Sequence, residues 1–195
     1  MASSHCRTSM SISQLRIIGG KWRSRKINFL PEPTLRPTGD RLRETLFNWL
    51  GPSLRQARCL DAFAGSGALG FEALSRGAAF CQFWDNNLKV VKQLKETCQT
   101  LQAQELCQIE KADTQLLLNQ SCGTPFDIIF LDPPFANKSL SNTLDSIFKN
   151  HWISPDGFVS VEADASDKLD FGLNWIIHRS KVASGVQIHL LRPVE

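Results

Sequence analysis

The chain has 195 residues, 42% hydrophobic and 21% charged, with a formal net charge of +3. That length builds one sizeable core plus a short appendage, and without an apolar run of about 18 residues a membrane-spanning helix is excluded. Six scattered cysteines with no CxxC pair argue against a disulfide scaffold and against a metal site, and fit a reducing cytoplasm.

The charge is unevenly spread. Residues 1–60 hold eleven Lys/Arg against three Asp/Glu, and the remainder holds eleven against sixteen. A polyanionic partner is therefore drawn to the first third. Residues 1–13 are serine-rich and lack an apolar stretch, so they read as a flexible tail rather than a signal peptide. The expected division is this tail, a basic hairpin with its linker over 14–37, and one catalytic domain over 38–195.

In chain order, Leu15-Arg16-Ile17-Ile18 and Lys21 to Ile27 read as two strands joined through Gly19-Gly20. Arg16, Lys21, Arg23, Arg25 and Lys26 surround Trp22. On a hairpin such cations hold phosphates, and the ring stacks on an unpaired base. The plainer alternative is a solvated charged face with Trp22 packed on the main domain. Prolines 31, 33 and 37 mark a linker, after which Thr38 caps a helix that Gly51-Pro52 stops. Leu42, Leu46, Trp49 and Leu50 share one side of it, while Arg36, Arg41 and Arg43 near its start face substrate or solvent.

A strand at Ala57–Leu60, the turn Asp61-Ala62-Phe63-Ala64-Gly65-Ser66-Gly67 and a helix ending near Gly77 form a half-unit of a doubly wound sheet. The next strand, Ala79–Trp84, ends at Asp85, and a helix over Asn87–Leu101 follows. A third strand, Leu106–Glu110, leads to Ala112-Asp113 and a short helix over Leu116–Leu118. Phe126–Leu131 is a buried central strand that runs into Asp132-Pro133-Pro134-Phe135. A helix through Leu140, Leu144 and Ile147 returns the chain. Strands at Gly157–Glu162, Trp175–Arg179 and Val186–Leu191 then place an antiparallel edge on a mostly parallel sheet of seven strands.

The turn carries the first chemical signal. Gly65 and Gly67 let backbone approach a ligand at the mouth of a helix, with Phe63 and Ala64 beside it. Asp61 presents a carboxylate where a pyrophosphate would be repelled, unlike a G-x-G-x-x-G dinucleotide fingerprint, and accepts from an ammonium group or a water. Asp85, next to Asn86, is placed for both hydroxyls of a ribose. Asp113 accepts from an exocyclic adenine amine, and Ala112 offers backbone groups to the ring edge. Amino-acid end, ribose and adenine together describe S-adenosylmethionine.

The turn at 61–67 with Asp132-Pro133-Pro134-Phe135 resembles class I methyltransferases that modify exocyclic amines. Arg16 to Arg25, Leu35-Arg36-Pro37-Thr38 and Arg41 to Leu50 resemble, more closely, the bacterial RsmD family of 16S rRNA guanine(966)-N2 methyltransferases. The resemblance implies a class I Rossmann-like fold with a small basic N-terminal hairpin and S-adenosylmethionine as donor. It also implies one guanine of 16S rRNA as target, within a partly or fully assembled 30S subunit, and a monomer in the cytoplasm. Departures are modest. Asp85 stands where the family usually has Glu, Gly39 where a second Thr is usual, and Gln187 and His189 where relatives often carry basic residues or tyrosine.

An aromatic amine is a poor nucleophile because its lone pair is delocalised. Asp132 and the Pro133 carbonyl can accept its two hydrogens and hold the nitrogen toward the methyl, so orientation and electrostatics carry catalysis without a strong base. Pro134 fixes the turn, Phe135 stacks on an extruded base, and Lys138 touches RNA nearby. The competing readings are an adenine-N6 methyltransferase, a nicotinamide-dependent oxidoreductase, which leaves the Pro-Pro step without a task, and a catalytically silent RNA-binding protein.

Overall fold

The computed structural model describes residues 13–29, 39–133 and 136–194. An antiparallel ribbon of β1 (Ser13–Arg16) and β2 (Lys26–Phe29) precedes α1 (Asp40–Leu50). The sheet is then laid down as β3 (Arg58–Asp61), α2 (Ala68–Ser75), β4 (Phe80–Asp85), α3 (Leu88–Leu101), β5 (Cys107–Lys111), α4 (Thr114–Leu118) and β6 (Phe126–Leu131). It is completed by α5 (Ala136–Lys149), β7 (Ile153–Asp164), β8 (Trp175–Ala183) and β9 (Val186–Pro193). The seven strands lie in the order β5-β4-β3-β6-β7-β9-β8. Pairings from β5 across to β7 are parallel, and β9 runs antiparallel between β7 and β8.

Helices cover both faces, which is why β6 reads as an almost unbroken apolar run. On one face the ribbon, α1, α2 and α3 enclose Leu46, Phe47, Phe71, Phe83, Leu94 and Phe130. On the other, α4 and α5 pack Leu118, Leu140, Leu144 and Ile147 against Ile129, Leu131, Trp152 and Trp175.

The N-terminal hairpin differs from its expected form. Its strands end at Arg16 and restart at Lys26, so Lys21, Arg23 and Arg25 lie in the connection and not on a strand. The cause is Trp22, which is 7% exposed and belongs to the main core together with Leu15, Ile17, Ile27 and Phe29. Burying that ring draws the connection down onto α2 and interrupts the ladder. The hairpin is therefore part of the domain's core.

Buried polar groups fix that docking. Glu72, fully buried in α2, accepts from the amides of Ile18 at 2.7 Å and Gly19 at 2.8 Å, and from Arg76 Nε at 2.6 Å. Ser75 Oγ accepts from the Trp22 amide at 2.9 Å and donates to the Gly19 carbonyl. Gly20, at φ +76°, crosses α2 so closely that a Cβ would lie 1.8 Å from the Ser75 carbonyl oxygen, so only glycine fits there.

Two further differences concern element faces and ends. In α1 the buried side is Leu42, Arg43, Leu46, Phe47 and Leu50, with Trp49 partly buried against the same core, so Phe47 and Arg43 are added to the expected side. Gly39 occupies its N-cap position, and the Pro31–Thr38 segment lies outside the described residues. β7 begins at Ile153 rather than Gly157, because Ser154-Pro155-Asp156-Gly157 forms a bulge in the strand. Its pairing jumps from Phe126–Ile153 to Ile128–Phe158.

Candidate active site

β3 lies between β4 and β6, with Asp61 in register with Phe83 on one side and Phe130 on the other. The chain leaves β3 toward β4 and β5 and later returns on its other flank. The carboxyl ends of these strands therefore open a crevice at a reversal of strand order, where open α/β sheets bind ligands.

The turn after β3 is tied across that crevice. The Ala62 amide donates to the Phe130 carbonyl at 3.1 Å and the Ala64 amide to the Trp84 carbonyl at 2.9 Å. Gly65, at φ +49°, donates its amide to Asp85 Oδ2 at 3.0 Å. Gly67, at φ +74°, starts α2, and a Cβ there would lie 2.6 Å from Leu94 Cδ2 and 2.7 Å from Phe71 Cε2.

Asp85 Oδ1 also accepts from the Asn87 amide at 2.8 Å, so backbone groups orient this carboxylate. Ala112 donates its amide to the Asp85 carbonyl at 2.9 Å, which brings the end of β5 alongside. Asp113 is exposed and caps α4 by accepting from the amides of Gln115 and Leu116. The next residue, Thr114, is buried and donates its hydroxyl to the Ala62 carbonyl. Asp61, Phe63 to Gly67, Asp85, Asn86, Ala112 and Asp113 thus share one rim.

Asp61 takes a role that differs from the one expected. Its side chain is buried and accepts from the Gly70 amide at 2.9 Å, so it holds the first turn of α2. Burial pushes its pKa up to about 8; the Gly70 hydrogen bond opposes the shift, and the charges of Asp132 and Asp85 add to it. Asp61 ends β3 and Asp132 follows the end of β6, its parallel neighbour, so the glycine turn and the Pro-Pro step leave adjacent strand ends. Asp132 itself is half-buried, and desolvation pushes it up to about 6. Pro133 is buried beside it; Pro134 and Phe135 lie outside the described residues, as does the side chain of Lys138.

Among the basic residues singled out, Arg16, Lys21, Arg23, Arg25, Lys26 and Arg41 are exposed, and Arg36 lies outside the described residues. The Trp22 ring is in the core, with Lys21 Nζ 4.4 Å from its centroid. It leaves no open face for a base, so the plainer alternative holds for this residue. Arg43 is 1% exposed and does not face a substrate. Its Nη2 donates to the Arg16 carbonyl at 2.6 Å and to Asp40 Oδ1 at 3.0 Å. Burial lowers its pKa, and the charges of Glu72 and Asp40 work against that shift.

Sequence reasoning missed Glu72, Ser75 and Thr114. α2 is buried on every side, so its pattern has no polar face from which a buried Glu could stand out. Among the described residues no His, Cys, Asp or Glu cluster is arranged to hold a metal ion, and no helix is long and apolar enough to cross a membrane.

A family profile described as conserved hypothetical protein 95 matches residues 15–192. Ribosomal RNA small subunit methyltransferase D of Escherichia coli K12 is 44% identical over 178 residues, covering 91% of this chain and 89% of that protein. The Haemophilus influenzae protein of the same name is 41% identical over 179 residues, covering 91% and 93%. The chain belongs to the RsmD family of rRNA methyltransferases. For this RsmD-family chain, a solved structure described as putative methyltransferase yhhF from Escherichia coli superposes with a TM-score of 0.83 at 42% identity, over 93% of this chain and 98% of that one. The class I fold is also shared with T. thermophilus RsmC, at a TM-score of 0.69 and 18% identity. As a member of the RsmD family the chain is a methyltransferase.

Proposed function

We propose that this chain transfers a methyl group from S-adenosylmethionine to the exocyclic N2 of a guanine in small-subunit rRNA, guanine 966 of 16S rRNA. It would act as a cytoplasmic monomer on a partly or fully assembled 30S subunit. The observation that carries this reading is the convergence of the glycine turn, Asp85 and Asp132 on one crevice, with Asp61 feeling the charge of both acids. Asp85 and Asp132 at the crevice suit a cationic sulfonium and would repel a pyrophosphate, while Asp61, raised to about 8 by burial, is largely uncharged near neutral pH and serves by holding the Gly70 amide. The RNA is taken from the relatives, which are named as small-subunit ribosomal RNA methyltransferases.

When bound, S-adenosylmethionine would supply an electrophilic methyl group, its S–CH3 bond breaking as the N–CH3 bond forms to leave neutral S-adenosylhomocysteine. The chain's own residues do the rest. Gly65 and Gly67 keep side chains out of the turn so that backbone can approach the donor, and Asp85, already oriented by two amides, accepts from the ribose hydroxyls. Ala112 and Asp113 flank the adenine. The Asp132 carboxylate and the Pro133 carbonyl accept the two N2 hydrogens and aim the lone pair, which is catalysis by orientation and preorganised acceptors. The attacking amine becomes more acidic as its N–C bond forms, and the proton leaves to Asp132 or to water. Pro134 and Phe135 complete the step by fixing the turn and stacking on the base. The exposed cations Arg16, Lys21, Arg23, Arg25, Lys26 and Arg41 hold phosphates, joined by Arg36 and Lys138.

The test is incubation with labelled S-adenosylmethionine and naked small-subunit RNA, reconstituted small subunits or duplex DNA, followed by digestion to nucleosides. N2-methylguanosine from one position of the RNA is expected. N6-methyladenine, or no product on any substrate, would overturn the reading.

A further inference from the structure

The end of the chain runs against the charge of the domain that contains it. Residues 61–195 are acidic in balance, yet residues 171–194 contain no Asp or Glu and hold Arg179, Lys181 and Arg192. Arg192 is paired with Asp156 at 3.3 Å. Arg179 and Lys181 stand on β8, an edge strand whose residues from Ile176 to Val182 are all exposed. A strand covered on neither face adds little to the core. Lysine on such an edge also guards against strand pairing, but that role does not require both cations to face one side.

Register settles which side they face. Arg179 lies opposite Leu190 and Lys181 opposite Ile188. Directly opposed residues share a face, and Leu190 and Ile188 belong to the core beneath α1. Lys181 Nζ donates to Thr45 Oγ1 on α1 at 3.0 Å, and Thr45 Oγ1 in turn donates to the Arg41 carbonyl at 2.9 Å. Between Arg41 and Thr45, on the buried side of α1, Arg43 donates to the Arg16 carbonyl of the hairpin. Exposed Arg41, Lys181 and Arg179 therefore follow one another across helix and edge strand, and the hairpin bearing exposed Arg16 is fastened to the same helix. Asp40 and Glu44 are exposed on the same helix, and the Asp40 carboxylate is engaged by Arg43.

The ladders also fix the height of this row. Leu131 pairs with Val161, Glu162 with Ile188 and Ile188 with Lys181. Lys181 is thus level with Asp132 and three strands away, roughly 14 Å at about 4.8 Å per strand.

We propose that Arg179 and Lys181, with Arg41 and Arg16, form a phosphate-binding track that carries the RNA substrate over α1 to the far edge of the sheet. This rests on the RNA reading above and adds a surface outside the basic first third of the chain. The spacing suits an RNA strand whose target base enters at Asp132 while flanking phosphates lie along α1 and β8.

The experiment is equilibrium binding of small-subunit RNA to the full chain at several salt concentrations. It compares wild type, the double variant Arg179→Gln/Lys181→Gln, and Lys149→Gln on the opposite face as a control. Each lost phosphate contact lowers the slope of log affinity against log salt by about 0.7–0.9, so the double variant is expected to lower it by roughly 1.4–1.8. Binding near physiological salt should weaken about tenfold or more, with S-adenosylmethionine affinity unchanged and the control behaving as wild type. Guanine methylation by the wild type, measured in parallel, reports on the functional reading. If the wild type methylates while the double variant keeps its slope and affinity, the track alone is overturned; if the wild type neither binds nor methylates, both fall. Loss of activity on assembled subunits with unchanged naked-RNA binding would assign β8 to a ribosomal protein, and that too overturns the track.

Discussion

Replacing Glu72 with alanine tests how the basic hairpin is held. The carboxylate, fully buried, receives two backbone amides and Arg76 Nε, and its charge offsets the cost of burying Arg43. Each buried donor left without a partner costs about 1–3 kcal/mol, and breaking a buried ion pair costs about 3–5 kcal/mol. These costs overlap, because Arg76 is 19% exposed and can turn to solvent. A loss of roughly 4–6 kcal/mol follows, a large share of a total stability of about 5–15 kcal/mol. In urea, with a slope near 2 kcal/mol/M, the midpoint should fall by about 2–3 M. Trp22 fluorescence, read in a chain whose other tryptophans are changed to Phe, should report the hairpin lifting from α2. Glu72→Gln keeps one acceptor oxygen but turns an NH2 toward a donor, so about half the loss is expected. Adding Arg43→Met to Glu72→Ala should recover part of it by removing a buried charge whose Nε and Nη1 make no hydrogen bond among the described residues. A midpoint shift under about 0.5 M for Glu72→Ala would refute the reasoning.

Asp132→Ala should cut turnover by about 10²–10³ while calorimetry shows donor affinity nearly unchanged; an equal loss of donor affinity contradicts its role. Because burial raises Asp132 to about 6 and the ionised carboxylate is the stronger acceptor and stabilises the positive charge that develops on N2, kcat should fall by up to about tenfold per pH unit below that value. A rate flat down to about pH 5 would exclude this. Asp61 is raised in the folded state to about 8, so its contribution to stability is full below the unfolded value near 4 and is lost as pH rises through 8. Urea titrations should show stability declining from mildly acid to mildly alkaline pH, and Asp61→Asn should flatten that decline; parallel curves for the two proteins would count against it. Gly67→Ala must adopt φ +74° and push against Leu94 and Phe71, at a cost of about 1–3 kcal/mol. A wild-type Tm and unaltered donor binding would disprove that.

The sheet was legible because its signals are local. The apolar run at Phe126–Leu131, the glycine turn after Asp61 and the acids at strand ends each state their position within a few residues. The environment of Trp22 was legible only as one of two alternatives, a ring for an unpaired base or a ring packed on the domain, since five cations flank it while the groups that seat its connection lie on α2, far along the chain. Arg43 misled for the same reason: its burial depends on Asp40, Glu72 and the Arg16 carbonyl, and only the first is a sequence neighbour. The start of β7 was hidden by Ser154-Pro155-Asp156-Gly157, turn chemistry that the structure accommodates as a bulge. Within the crevice, the positions of Asp61, Asp85 and Asp132 followed from strand ends. What Asp61 binds did not, because its partner is an amide one helical turn into α2.

The groove that receives Ile18 and Gly19 lies 54 and 53 residues further along the chain. At roughly 5–20 residues per second, translation delivers that groove about 3–10 s after the arm itself has emerged. Throughout that interval the cationic, tryptophan-bearing segment has been made and its seat has not. The carboxylate of Glu72 and the hydroxyl of Ser75 that seat the arm exist only once α2 has been made, so the arm's docking waits on a helix synthesised after it.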